Sequence, residues 1–325
     1  PDFAGAHENL ALALLHEGKF EEGWQEYNWR WKNAANSLTP RLLTMPRWNG
    51  DPIGDQCLLL HAEQGFGDTL QFLRFGTLIP RSRKRVILAV QAELVSLLER
   101  VPWADEVVSL DESMPPADIE APLADLPALL DPDGSQVRGA RAYLSVPYAQ
   151  QLRTKRPALT EFEERGKDIL IGVCWSGRPR NVNDPYRNRS CPASAFTAIS
   201  ELDGVRLISL QKDESSDAPY IKSKDALFDQ PDQVLTTFLE TAREILKMDL
   251  VVTVDTAVAH LCGALGKPGI VLLNYSADWR WGEGNGRAPW YPSLKMVRQE
   301  VPGEWSTVIE KAALEIKRNF VSTDG

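Results

Sequence analysis

The spacing of apolar positions changes period several times along the chain. From about Ala6 to Lys32 it is helical. Leu10, Leu14 and Leu15 share one face of a first helix that Gly18 ends, and Phe20, Trp24, Tyr27 and Trp31 stripe a second. From Gln56 the pattern turns into alternating blocks. "CLLLHA", "RVILAV" and "DEVVSL" read as strands, with "DTLQFLRFGTLI" and "AELVSLLERV" as helices between them. A looser, proline-rich stretch follows, including "MPPADIEAPLADLPALL", and then a charged linker from Gln150 to Asp168. A second block alternates again. "DILIGVCW", "VRLISLQ", "DLVVTV" and "GIVLLN" read as strands, and "PASAFTAISEL", "PDQVLTTFLETAREILKM" and "TAVAHLCGALG" as helices. A last helix is expected from Ser306 to Arg318. Strands alternating with helices imply parallel sheets, and ligands in such sheets bind beyond the carboxyl ends of strands.

Composition narrows the picture. The 325 residues are enough for two ordinary domains, and 43% hydrophobic with 25% charged residues is the balance of a soluble globular protein. A net charge of −9 argues against nucleic acid and against an anionic membrane surface. The locally basic "RSRKR" at Arg81–Arg85 reads as a solvated turn. No apolar run approaches the ~18 residues of a membrane span. Cys57, Cys174, Cys191 and Cys262 are far apart and lack metal-type spacing, which fits free thiols in a reducing cytoplasm and no metal cofactor. The start at Pro1 without methionine suggests a fragment whose upstream part is missing.

Four segments carry candidate chemistry. In "VVTVDTAVAHLCGALGKPGIVLL" a buried strand ends at Asp255, Asp255 or Thr256 can cap the next helix, and Gly266 and Pro268 end it. The free N–H groups and the dipole of such a helix start favour an anion such as a diphosphate. His260 is either a satisfied core histidine or a ligand-facing donor. "VCWSGRPRNVNDPYRNRSCP" places Ser176, Gly177, Arg178, Arg180, Arg187 and Arg189 after another strand, where guanidinium groups suit bidentate phosphate contacts. "YSADWRWGEGNGRAPWYP" gathers Trp279, Trp281, Trp290 and Tyr291. They form either a stacking surface for a base or sugar or an aromatic cluster holding its own loop. "HAEQGFGDTLQF" has two glycines, but Leu70 stands where a dinucleotide fingerprint needs its third, so the loop is not a phosphate cradle. Its glycines can form a turn that presents Asp68, either as a reactive carboxylate or as a helix cap.

Taken together, "EQGFGDTLQF", "WSGRPRNVNDPYRNRS", "VDTAVAHLCGALGKP" and "DWRWGEGNGRAPWYPS" resemble the heptosyltransferase-like group of GT-B glycosyltransferases (family 9 type) over roughly Pro46 to Trp305. The hairpin portion "LALALLHEGKFEEGWQEY" resembles a single tetratricopeptide repeat, as in the branch fused to such repeats. One repeat does not bury its own face, so it needs neighbours or must pack on the rest of the chain; a plain helical hairpin is the alternative.

The resemblance implies an α/β fold of GT-B type, with two doubly wound Rossmann-like domains facing across a cleft. The expected organisation is a helical hairpin and linker (1–45), an acceptor-side domain (46–155), a donor domain (156–305) and a C-terminal helix (306–325). It implies Asp68 as general base and Arg189 as the cation steadying donor phosphates. Asp255, Thr256 and His260 match the donor-helix motif, while Gln64, Gly65, Gly67, Trp279 and Trp281 fall on the acceptor side or stack on sugar. Where the family often has lysine and a bulky aromatic before proline, this chain has Arg189-Ser190-Cys191, so ADP-heptose is not assumed as donor. The implied activity is inverting, metal-independent transfer from a nucleotide sugar to an acceptor hydroxyl, with a protein acceptor docked by the repeats. A non-catalytic module that recruits a partner or binds a nucleotide sugar, and a nucleotide-sugar epimerase, are the other readings.

Overall fold

A computed structural model describes residues 2–33, 45–80, 85–139, 142–146, 168–177, 189–212 and 227–320. The chain forms two compact units, one of residues 1–140 with 278–283, the other of residues 141–277 with 284–325.

The first unit holds a four-stranded parallel sheet: β1 (Leu58–His61), β2 (Val86–Val90), β3 (Glu106–Ser109) and β4 (Ile119–Pro122), in the order β3-β2-β1-β4. Leu58, Leu59 and Leu60 have no exposed surface, as expected of a strand covered on both faces. The second unit holds six strands: β5 (Ile169–Cys174), β6 (Val205–Ser209), β7 (Leu250–Val254), β8 (Gly269–Leu273), β9 (Gly286–Ala288) and β10 (Tyr291–Arg298). Their order is β6-β5-β7-β8-β10-β9, parallel except for the β9–β10 pair. Ile171, Val173, Phe196, Val252, Ile270 and Ile309 belong to its core, and Trp175 stacks on Phe228 at 4.6 Å between ring centroids.

The two N-terminal helices, Ala4–His16 and Phe20–Tyr27, pack on each other and within the first unit. The buried face of the first is not the expected one. Ala11 and Leu15 are covered, whereas Leu10 is 47% exposed. The reason is Gly23, where a Cβ would stand 2.8 Å from Leu15 Cδ2, so Leu15 seats directly over the glycine and sets the helix's rotation. In the second helix Phe20, Trp24 and Tyr27 are buried as the periodicity predicts, and Trp31 lies in a 3-10 turn, Asn28–Trp31.

Elements that periodicity did not reveal sit around proline. β4 and the short helix Leu126–Leu130 lie inside the proline-rich stretch read as loose. Pro122 is the last residue of a sheet-edge strand, where a missing N–H costs little. β9 lies inside "YSADWRWGEGNGRAPWYP" and β10 begins in its last two residues, with Pro292 in the interval between Tyr291 and Lys295 where the β9–β10 register shifts. The helix expected from Pro231 starts only at Phe238, because Thr237 and Glu240 form a capping box in which Thr237 N–H donates to Glu240 Oε2 at 2.7 Å.

Helix Ala257–Ala264 lies so close to β10 that a Cβ on Gly263 would come within 2.2 Å of Tyr291 Cδ1. Gly263→Ala is therefore expected to destabilise the second unit by about 1–3 kcal/mol through overpacking, read as a lower midpoint in urea unfolding.

Candidate functional site

In the second sheet β5 is flanked by β6 and β7, so the connections leaving β5 and β6 run to opposite sides of it. Such a reversal opens a crevice at the carboxyl ends of the two central strands. Cys174 pairs in register with Thr253, which brings Trp175–Gly177 beside Val254–Thr256. Thr256 is the N-cap of helix Ala257–Ala264, its Oγ1 accepting from Val258 N–H at 3.3 Å and lying 3.2 Å from Thr253 Oγ1. Asp255 is buried beside it, 7% exposed. A Cβ on Gly177 would stand 3.0 Å from Arg189 Nε and 3.1 Å from Thr256 Cγ2. Glycine at this point lets the Arg189 guanidinium come up to the capped end of the helix.

Two further side chains, missed in the sequence, shape this turn. Gln211, two residues past the end of β6, grips the backbone of Ser176. Ser176 N–H donates to its Oε1 at 3.0 Å and its Nε2 donates to Ser176 O at 3.1 Å. Ser190 Oγ accepts from Gly177 N–H at 3.2 Å and lies 3.3 Å from Ser176 Oγ. The signal for Gln211 was available, a polar residue just beyond the carboxyl end of an apolar strand. Arg178, with Arg180 and Arg187, lies outside the described residues.

His260 follows Thr256 by one helical turn and is 5% exposed, its Nδ1 lying 2.8 Å from Tyr291 Oη. That contact orients the ring. Cys262 on the same helix is an inert thiol, with burial pushing its pKa up to about 12 and Lys267 opposing only weakly.

In the first sheet the corresponding reversal is at β1, between β2 and β4. The chain leaves β1 through Glu63 and Gln64 into helix Phe66–Phe72, whose N-cap is Gly65. Gly67 and Asp68 are thus its second and third residues, and Asp68 does not begin the helix as the sequence reading had it. Gly65 N–H donates to Asp68 Oδ2 at 3.0 Å, the reach-back half of a capping box; a glycine has no side chain to supply the other half. Asp68 Oδ1 accepts from Arg280 Nη2 at 2.6 Å, and Asp278 Oδ1 accepts from Arg280 Nη1 at 2.7 Å. Arg280 is 5% exposed and sits over the rings of Trp279 (4.5 Å) and Phe72 (5.5 Å). Burial works against its charge, but Asp278 and Asp68 outweigh that and raise its pKa. The Asp68 side chain keeps 14% of its surface.

Trp279 and Trp281 are buried, Trp279 edge-on to Trp24 at 5.3 Å. Gln64 Nε2 donates to Tyr27 Oη at 2.7 Å and to Glu63 Oε1 at 3.0 Å. Among the described residues no group of three or more His, Cys, Asp or Glu is placed to hold a metal.

Comparison with known proteins adds a family. Residues 222–315 match Glycosyltransferase family 9 (heptosyltransferase), a segment that includes Asp255, Thr256, His260, Trp279 and Trp281. Protein FlbA of Caulobacter vibrioides is 23% identical over 351 residues, covering 98% of this chain and 57% of FlbA. The chain therefore spans little more than half the length of that relative. Among solved structures, a glycosyl transferase family 9 protein of Veillonella parvula is similar with a TM-score of 0.57 at 12% identity, over 82% of this chain and 97% of that one. The E. coli ADP-heptose lps heptosyltransferase II is similar with a TM-score of 0.53 at 12% identity, over 80% and 99%. Residues 222–315 are thus similar to glycosyltransferase family 9, and the α/β fold with parallel sheets is similar to that of GT-B heptosyltransferases.

Proposed function

We propose that this chain transfers a sugar from a nucleotide-sugar donor to an acceptor hydroxyl, with inversion at the anomeric carbon. The observation that carries the reading is the meeting of Gly177 and Arg189 with Thr256 of the family-matched segment, at the switch point of the second sheet. There the donor's diphosphate faces the Arg189 guanidinium and the start of helix Ala257–Ala264, two sources of positive potential that are already in place before the reaction. Asp255 and His260 complete the donor side, and Ser176 and Gly177 form its floor.

On the acceptor side Asp68 is the base. Each of its oxygens accepts one of the hydrogen bonds above and has further lone-pair capacity for an incoming hydroxyl proton. In the step proposed, Asp68 takes the hydroxyl proton while the acceptor oxygen bonds to the anomeric carbon. The bond from that carbon to the diphosphate breaks, and its electron pair leaves with the nucleotide. Charge on the leaving diphosphate is met by the chain's own cation and helix end rather than by a metal.

Because of the departure at Arg189-Ser190-Cys191 the donor is named only as a nucleotide sugar, and ADP-heptose is not assumed. The repeat-like hairpin supports a protein acceptor, with further repeats extending the docking surface. The four free cysteines support work in a reducing compartment such as the cytoplasm.

Asp68→Asn is expected to lower kcat for transfer by about 10²-fold or more while leaving nucleotide affinity unchanged. Wild-type transfer in that variant would mean that Asp68 serves only the helix cap and the Arg280 ion pair. For the donor side, ADP, UDP and GDP are compared by thermal shift. At about 100 times its Kd, the preferred nucleotide should stabilise the chain by roughly 2.7 kcal/mol, and Arg189→Ala should reduce that stabilisation. If none of the three raises the melting temperature, the donor-site assignment fails.

A further inference from the structure

The mechanism above uses Asp68 but not the side chains that hold the start of its turn, and several of those come from the helical hairpin. Trp24, Tyr27 and Arg30 recur three residues apart along the second helix and its 3-10 extension. All three touch the segment from Glu63 to Phe72. The Trp24 ring lies edge-on to Phe72, 6.3 Å between centroids. Tyr27 Oη accepts from Gln64 Nε2 at 2.7 Å. Arg30 forms a two-pronged pair with Glu63, Nε to Oε1 at 2.8 Å and Nη2 to Oε2 at 3.0 Å.

The grip extends beneath the sheet's end. Arg30 also pairs with Asp125, which is bound in turn by Arg47 Nη1 at 2.8 Å, and Arg47 Nε donates to Glu120 Oε1 at 3.2 Å. Glu120 Oε2 lies 2.8 Å from His61 Nε2, at the last residue of β1. Arg30 is 1% exposed and its guanidinium lies 4.7 Å from the ring centroids of both Tyr27 and Trp31. A buried guanidinium with a forked carboxylate partner is a directional contact that a lysine does not reproduce.

We propose that the hairpin is a positioning element of the acceptor-side site: through Tyr27 and Arg30 it fixes Glu63 and Gln64, and with them the Gly65–Gly67 turn that aims the Asp68 carboxylate. This rests on the reading of Asp68 as base. The hairpin is then part of the reacting unit as well as a surface for docking. Burial raises the pKa of the Tyr27 phenol.

The test compares Tyr27→Phe and Arg30→Lys with Asp68→Asn in the full chain, measuring kcat, donor KM and thermal stabilisation by ADP, UDP and GDP. Tyr27→Phe removes one hydrogen bond and keeps the ring, so it reads out even if Arg30→Lys folds poorly. Transfer kcat is expected to fall about 2- to 10-fold in Tyr27→Phe and about 10- to 10²-fold in Arg30→Lys. Donor KM and nucleotide stabilisation should not change. Wild-type kcat in Tyr27→Phe, with Asp68→Asn inactive, overturns the positioning role and leaves the base assignment intact. A fall in kcat matched by an equal loss of nucleotide stabilisation makes the contacts merely structural and also overturns it. Wild-type transfer in Asp68→Asn overturns both readings.

Discussion

A guanidinium group taken out of water costs several kcal/mol unless charged and hydrogen-bonding partners replace the solvent. Arg30 and Arg280 of the first unit are both almost fully covered. Each is held by two carboxylates and lies over aromatic rings. These demands make the local architecture unforgiving. Arg30 requires the hairpin against the ends of β1 and β4, and Arg280 requires residues 278–283 against helix Phe66–Phe72. Removing one partner strands a charge, so such contacts specify one arrangement even where an apolar substitute would be as stable. The Glu63–Asp68 turn lies between both guanidinium groups, and its geometry is a consequence of satisfying them.

The second unit reaches its site by another route. Its crevice follows from strand order, since any doubly wound sheet whose central strands are β5 and β7 brings their following loops together. What this chain adds is local. Gly177 leaves room for Arg189, Thr256 caps the helix, and Gln211 and Ser190 replace the strand ladder where it ends. Backbone groups that the sheet no longer pairs are met by side chains, which keeps the turn fixed without lengthening the strands.

Strands of uninterrupted apolar character were legible from sequence, because a parallel strand covered on both faces is defined by its own composition. β1, β2, β5, β7 and β8 are of this kind. β4 and β10 were not legible. β4 takes its pairing from β1, far back along the chain, and Pro122 and Pro292 disguise β4 and β10. Among site residues, the Thr256 cap and the Gly266 terminus, with φ of 66°, were readable from local helix chemistry. Arg280 was passed over because "DWRW" shows its tryptophans first, and nothing local reveals that its charge meets Asp68 from 212 residues away. Leu10 misled for a similar reason, because the facing Gly23 rather than the helix's own stripe decided which side was buried.

The double use proposed for Asp68 follows from the same physics. A carboxylate that must take an acceptor's proton has to be held still, and hydrogen-bond donors do this. Gly65 N–H and Arg280 supply them, and they would equally supply a purely structural carboxylate. What separates the two roles is access. A structural partner gains from complete burial, whereas Asp68 is less covered than the guanidinium it holds, 14% against 5%. The hairpin and the 278–283 segment hold the carboxylate without closing over it, which is the arrangement a base needs.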